Sequence, residues 1–193
     1  MRQPRLYQDL WVRGKATKAG RRDCASRYGP IFARLDGMDA PRVLDLGANA
    51  GYFGLRVAHD FPEASVLLAD DYPLLKVMVQ SNALPNTQCM AQRLPPARVR
   101  DLGPFDLVIA YSVLHHCPDP IGMLDSILGA TRHALIELPA PEEYAGHRLT
   151  SAVAALWSEV RRHGLPTVYA GPFRRNGSGP VRSILHYVCA HPR

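Results

Sequence analysis

From Arg42 onward, short apolar runs alternate with stretches in which the apolar residues recur every three or four positions. RVLDL (42–46), SVLLAD (65–70), TQCMA (87–91), FDLVIAY (105–111) and ALIEL (134–138) have the length and apolar content of buried strands. Between them, YFGLRVAHDF (52–61) carries Phe53, Val57 and Phe61 at helical spacing, and PLLKVMVQSNAL (73–84) opens on Pro73, a residue suited to a first helical turn. IGMLDSILGATR (121–132) follows Asp119 as its cap and Pro120 at its first position, and LTSAVAALWSEVRRHG (149–164) is stopped by Gly164. PTVYAG (166–171) and SILHYVCA (183–190) close the chain as strands, with PFRRNGSGPVR between them. Upstream, LYQDLWV (6–12) reads as the start of a helix. RDCASRYGPIFARL (22–35) reads as a second one, with Cys24, Tyr28, Ile31, Phe32 and Leu35 on one face and Gly29-Pro30 expected to kink or divide it.

Strand and helix in alternation, with near-continuous apolar strands, predict an α/β fold. The sheet is doubly wound, mostly parallel, seven-stranded and Rossmann-like. The last two strands are joined by a loop of hairpin length, so the sheet ends in an antiparallel strand. Ligands of such sheets lie at the carboxyl ends of the strands, near the switch point of strand order. Two regions are expected: a basic helical N-terminal cap over 1–40 and a ligand-binding domain over 41–193.

Composition narrows the classes. The chain has 193 residues, 47% of them apolar, which is enough for one sizeable core. No apolar run approaches the ~20 residues of a spanning helix, and the N-terminus lacks a signal-type apolar stretch. Four widely spaced cysteines without a CxxC pair predict reduced thiols and a cytoplasmic protein. No metal site is expected, because the adjacent His115, His116 and Cys117 cannot readily reach one ion together. Residues 1 to 42 hold ten Lys/Arg against four Asp/Glu, a surplus of six that equals the whole formal charge of +6. A basic arm on a neutral body suits an anionic partner; a solvated face is the plain alternative.

The most informative stretch is VLDLGANAGYFG (43–54). A dinucleotide corner would read G-x-G-x-x-G. Counted from Gly47, Asn49 and Tyr52 break that pattern, and no Lys-Ser/Thr follows to make a P-loop. Asn49 still tolerates positive φ, so the tight turn survives without the pyrophosphate cradle. Asp45 sits inside the first strand. Asp70 ends the second, 23 residues after Gly47, where a carboxylate can accept both hydroxyls of a ribose. A ribose held without a pyrophosphate, beside a further carboxylate suited to an ammonium group, describes S-adenosylmethionine (SAM).

On these residues the chain resembles the class I SAM-dependent methyltransferases over about residues 40 to 190. DLGANAG (45–51) is similar to the family's first motif and FDLVIAYSVLHH (105–116) to its fourth-strand motif. The resemblance implies SAM as cofactor, with Asp45, Gly47, Ala48, Asn49 and Gly51 along its methionine part and Asp70 on the ribose. It implies Asp71 and Tyr72 beside the adenine, Gln92 or Arg93 as a further adenine contact, and Tyr111 and Ser112 in the pocket wall. Gln92-Arg93 departs from the acid common in the family at that place. GRRDCASRYGPI (20–31), AYSVLHH (110–116) and ALIELPAPEE (134–143) are further similar to the methyltransferase domain of bacterial enzymes that cap O-antigen polysaccharide with methyl phosphate. That resemblance implies Arg22, Arg27 or Tyr28 over the SAM carboxylate or an anionic acceptor. The alternative is that the arginines decorate a helix. No stretch resembles the kinase that accompanies that domain, so the acceptor does not transfer with the resemblance.

Methyl transfer is an in-line displacement that needs proximity and, for a neutral acceptor, a base. His115 and His116 follow the fourth strand at the rim and are the candidate catalytic bases. One packed and one solvated histidine is the alternative. Glu137, Glu142 and Glu143, on or after the fifth strand at its carboxyl edge, are candidates to orient an acceptor, a strand-end acid and a solvated loop pair being the alternative, and the pair Arg174-Arg175, in the loop before the last strand, to face an anionic one. The expected function is SAM-dependent transfer of a methyl group to oxygen of a small-molecule or glycan acceptor, anionic in one version. An RNA methyltransferase is the second reading, weakened because no aromatic residues interleave the basic arm. A SAM-binding regulator or partner subunit without turnover is the third.

Overall fold

The computed structural model describes residues 6–189, so Arg2 and Arg5 of the basic arm and Ala190 of the last expected strand lie outside the described residues. Seven strands form one sheet: β3 (Arg42–Leu46), β4 (Ser65–Ala69), β5 (Thr87–Met90), β6 (Phe105–Tyr111), β7 (Thr131–Leu138), β8 (Thr167–Pro172) and β9 (Val181–Val188). Their order is β5-β4-β3-β6-β7-β9-β8. Strands β3 to β7 pair in parallel, and β9 runs antiparallel to both β7 and β8. Strand order reverses between β3 and β6, which opens a crevice at their carboxyl ends.

The two faces bury separate apolar layers because successive side chains alternate. Val43, Leu107 and Ile109 face the layer of α1 (Cys24–Leu35), α2 (Tyr52–Asp60) and α3 (Leu74–Asn82). Leu44, Val108 and Ala110 face the layer of α4 (Pro96–Leu102), α5 (Pro120–Ala130) and α6 (Thr150–Arg162). Asp119 caps α5 by accepting the Gly122 N–H at 2.8 Å, as the sequence predicts. No helix among the described residues is long and apolar enough to cross a membrane.

Two local expectations are corrected. LYQDLWV does not start a helix. Leu10–Val12 (β1) pairs with Lys15–Lys18 (β2) in a hairpin. Its two-residue turn, Arg13-Gly14, has φ of 48° and 83°, the left-handed pair that matches strand twist. Asn82 fixes this hairpin on α3 by accepting the Arg13 N–H and donating to the Trp11 carbonyl, each at 2.9 Å. From Leu6 to Asp23 the cap region is therefore hairpin and loop, with one helix after it. Secondly, α1 runs through Pro30 undivided. The carbonyl that loses its partner belongs to the solvent-exposed Ser26, where water can replace it. Beyond these, PARVRDL forms the short helix α4, in a stretch to which the sequence assigns no element.

Candidate active site

The crevice is a cavity of about 750 Å³. One wall is the turn after β3. Gly47, Asn49 and Gly51 take φ of 74°, 53° and 81°. Gly47 and Asn49 line the cavity. A Cβ on Gly47 would lie 2.5 Å from Val113 Cγ2, so that position admits no side chain. Gly51 instead packs on Leu55 and Leu75, and Ala48 is buried outside the cavity wall. Asp70 lines the cavity at the end of β4. Its Oδ2 accepts the Asn49 N–H and its Oδ1 the Tyr72 N–H, both at 2.8 Å. Each carboxylate oxygen keeps a second lone pair for a ligand. Asp71 and Arg93 pair at 2.7 Å on the exposed rim, and both line the cavity. Tyr72 and Gln92 are exposed and do not line it.

Asp45 lies beneath the turn and is not brought to the cavity. It is 2% exposed and accepts the Gly54 N–H at 2.8 Å. Burial pushes its carboxyl up to about 7, with the charge of Asp70 adding to the rise. It fixes the start of α2 against β3, a place set by its pleat position inside the strand.

Glu137, at the end of β7 and 1% exposed, joins several elements. It accepts Arg22 Nη2 at 2.5 Å, Arg27 Nη2 at 2.7 Å and the Ser112 hydroxyl. Burial alone would raise its pKa; Arg27 and Arg22 outweigh that and hold it below the usual carboxylate range. Ser112, with a left-handed φ of 58°, turns the chain out of β6 and accepts Arg182 Nη1 at 2.7 Å. Arg182 also grips Glu143 through Nε and Nη2, at 2.9 and 2.7 Å. Arg22 and Arg27 are thus committed to Glu137, with rings on their faces: Phe173 at 4.5 Å from Arg22, Phe53 at 5.0 Å and Tyr111 at 5.1 Å from Arg27. Neither lines the cavity. Tyr28 is also absent from it, buried against Arg56 at 3.9 Å. Glu142 and Arg174 are exposed outside the cavity.

Tyr111, Ser112, His115 and His116 do line it. His115 is 1% exposed, and its Nε2 sits 3.2 Å from the Tyr144 hydroxyl. Burial, then His116 and Arg182, push His115 down to about 3, and burial lowers His116 as well. Both rings are therefore neutral at physiological pH. The cavity is also lined by Arg21 of the basic arm and by Tyr7, Tyr144, Arg148, Phe173 and Arg182, which the sequence alone does not single out. Among the described residues Arg21 and Arg148 have no carboxylate partner within 4 Å. Basic residues before α1 are visible in the sequence, but their convergence with Arg148 and Arg182 depends on the β7–β9 register. No group of three or more His, Cys, Asp and Glu is placed to hold a metal among the described residues.

No protein-family model matches the chain. Two curated proteins named trans-aconitate 2-methyltransferase are similar to it. That of Deinococcus radiodurans is 29% identical over 117 residues, covering 58% of this chain and 43% of its own. That of Variovorax paradoxus is 29% identical over 144 residues, covering 67% and 51%. The chain thus spans about half the length of the curated relatives it matches. Among solved structures, the bifunctional kinase-methyltransferase WbdD superposes with a TM-score of 0.77 at 20% identity, over 96% of this chain and 44% of WbdD. The N-terminal domain of EvdMO1, solved with SAH and D-fucose, superposes with a TM-score of 0.63 at 18% identity, over 95% and 90%. With the strand order and the turn after β3, these likenesses give this chain the fold of the class I SAM-dependent methyltransferases.

Proposed function

We propose that this chain is a SAM-dependent methyltransferase acting on an anionic oxygen of a small-molecule or glycan acceptor. One observation carries the reading. A single cavity is lined both by the Gly47–Asn49 turn and Asp70 and by Arg21 and Arg148, two guanidiniums without carboxylate partners among the described residues.

The residues present fit the cofactor. Asp70, already oriented by two backbone N–H groups, has lone pairs left for a ribose diol. The Gly47–Asn49 backbone leaves room for the methionine part, and the Asp71–Arg93 pair borders the adenine end. SAM, when bound, supplies a methyl group on a sulfonium. Tyr111 and Ser112 close the floor, and Arg182 holds Ser112 in place. Arg21 and Arg148 orient the acceptor by charge, a role guanidiniums fill well for phosphate and carboxylate. An acceptor that arrives ionised needs no base. That suits a site whose histidines are neutral and whose buried His115 is engaged by Tyr144. His115 and His116 are then wall residues that shape the pocket. The N-terminal region up to residue 40 acts as a cap on the acceptor side, contributing Tyr7 and Arg21. The thiols of Cys24, Cys89 and Cys117 form no disulfide among the described residues, which suits work in the reducing cytoplasm.

The similar proteins, which include two trans-aconitate 2-methyltransferases and a bifunctional kinase-methyltransferase, support a charged small acceptor. The test is transfer of labelled methyl from SAM to panels of sugar phosphates, organic acids, neutral glycans and tRNA. Label in the phosphates or acids is the expected result. Label in RNA alone, or tight SAM binding with no transfer to any panel, overturns the reading.

A further inference from the structure

Three of the residues that line the acceptor side of the cavity come from two segments that contain little regular structure. Tyr7 and Arg21 come from the chain before α1, and Phe173 from the loop between β8 and β9. The rings of Tyr7 and Phe173 lie 6.5 Å apart. The N-terminal segment is folded on itself: the Arg21 N–H donates to Leu6 O at 3.0 Å and the Arg22 N–H to Tyr7 O at 3.1 Å. Asp9, only 3% exposed, ties the same two limbs by accepting the Gly20 N–H at 2.7 Å.

Among the described residues, every hydrogen bond and ion pair between residues 6–23 and residues 173–180 comes from Arg175. Its backbone N–H donates to Arg21 O at 2.9 Å. Its Nη2 donates to the Asp9 carboxylate and, at 3.2 Å, to Arg22 O, while Nη1 stands 4.0 Å from Asp23. The Arg175 side chain is 42% exposed and the Asp9 side chain 4%. A half-solvated guanidinium thus grips a buried carboxylate that organises the other segment. The neighbouring Arg174 makes no such contact; its backbone bonds only within the loop, its N–H donating to Ser178 O at 3.0 Å.

We propose that Arg175 is a positioning residue: by joining Asp9 to the β8–β9 loop it holds Tyr7, Arg21 and Phe173 together as the wall that receives the acceptor. The word acceptor rests on the methyltransferase reading; the joint itself does not. The planar fork is the point of the residue, because it reaches a carboxylate and a carbonyl at once.

Amide exchange by mass spectrometry on the full chain with S-adenosylhomocysteine (SAH) tests the joint. Arg175→Gln should speed exchange at residues 20–22 about tenfold, with exchange at 43–52 and SAH affinity within about twofold of wild type. Arg174→Gln should leave residues 20–22 unchanged, and Arg175→Lys should restore part of the protection. With an acceptor from the labelling panels, Arg175→Gln should raise its KM about tenfold and leave kcat within about twofold, a split that general destabilisation does not produce. Unchanged exchange at residues 20–22, or a loss carried by kcat with KM unmoved, overturns the proposal. Failure of the wild type to bind SAH overturns the methyltransferase reading instead, and the exchange comparison then decides the joint alone.

Discussion

Arg22 and Glu137, 115 residues apart in the chain, meet at 2.5 Å with each side chain 1% exposed. Together with Arg27 at 2.7 Å, this contact fastens the segment before α1, and α1 itself, to the carboxyl edge of β7. A buried ion pair stabilises little in itself, because desolvation offsets attraction, but a partner left alone is costly. Glu137→Gln strands two buried guanidiniums. The expected loss is about 3–5 kcal/mol of unfolding free energy in a denaturant titration. A loss under about 1 kcal/mol would show that the arginines find other partners.

The response to acid has a sign that the buried groups dictate. His115 and His186 are 1% and 7% exposed, and burial holds them near 3 and 4. Between their folded values and the unfolded value near 6.5, only the unfolded state takes up these protons, so stability falls as pH falls. Asp45 acts in the opposite direction. Its folded value of about 7 exceeds the unfolded value near 3.9, so within that window the folded state holds the extra proton, and lower pH favours it. Burial lowers His116 and His133 in the same sense, so the histidines outnumber Asp45 and stability should fall as pH drops below about 6.5. Asp45→Asn should steepen that slope and His186→Phe should flatten it, as read from chemical denaturation at a series of pH values. Identical slopes in the two variants would refute these assignments.

Asp70 is the group on which cofactor binding turns. Its carboxylate is held by the Asn49 and Tyr72 N–H groups and faces the cavity. Charge-assisted hydrogen bonds contribute about 1.5–3 kcal/mol each, so Asp70→Ala should weaken SAH about 10- to 1,000-fold by calorimetry. Asp70→Asn, which keeps one oxygen acceptor, should lose less. Equal affinity in Asp70→Ala and wild type would remove the ribose role.

Much of this architecture is legible in the sequence, and the exceptions have physical causes. Val43, Leu44, Leu107 and Val108 sit in strands buried on both faces, so their apolar runs are unambiguous. Asp119-Pro120 marks the start of α5 by local chemistry alone. LYQDLWV misleads because Leu6 and Leu10, and Tyr7 and Trp11, fall at helical spacing, while the hairpin turn uses Arg13, which carries no turn signature. Helix α4 buries only Val99, too little for a period to show. At the site, Asp70 and the Gly47 turn are readable because one strand–turn–helix unit sets them. Arg182 is not, and Arg175 is readable only as one of a basic pair and not as the residue that joins two segments, because their partners Glu143 and Asp9 are chosen by the pairing of β7 with β9 and by a loop contact across 166 residues.

The acceptor wall yields the last expectation. Arg21 stands 5.7 Å from the Tyr7 ring centroid and Arg148 borders the same cavity, and neither has a carboxylate partner among the described residues. Because they are not part of the Glu137 network, replacing them should leave the fold intact. Arg21→Ala and Arg148→Ala should each raise the acceptor KM about 10- to 100-fold, with the affinity for SAH unchanged. The neutral histidines add a second signature. Burial holds His115 down to about 3 and lowers His116 below its ordinary value, so neither ring should gate kcat from pH 7 to 8, and His116→Asn should retain turnover. A rise of kcat with pH that disappears in His116→Asn would mean that a histidine takes the acceptor's proton. The acceptor would then be a neutral hydroxyl or amine, and the two arginines would serve to bind a charge elsewhere on it.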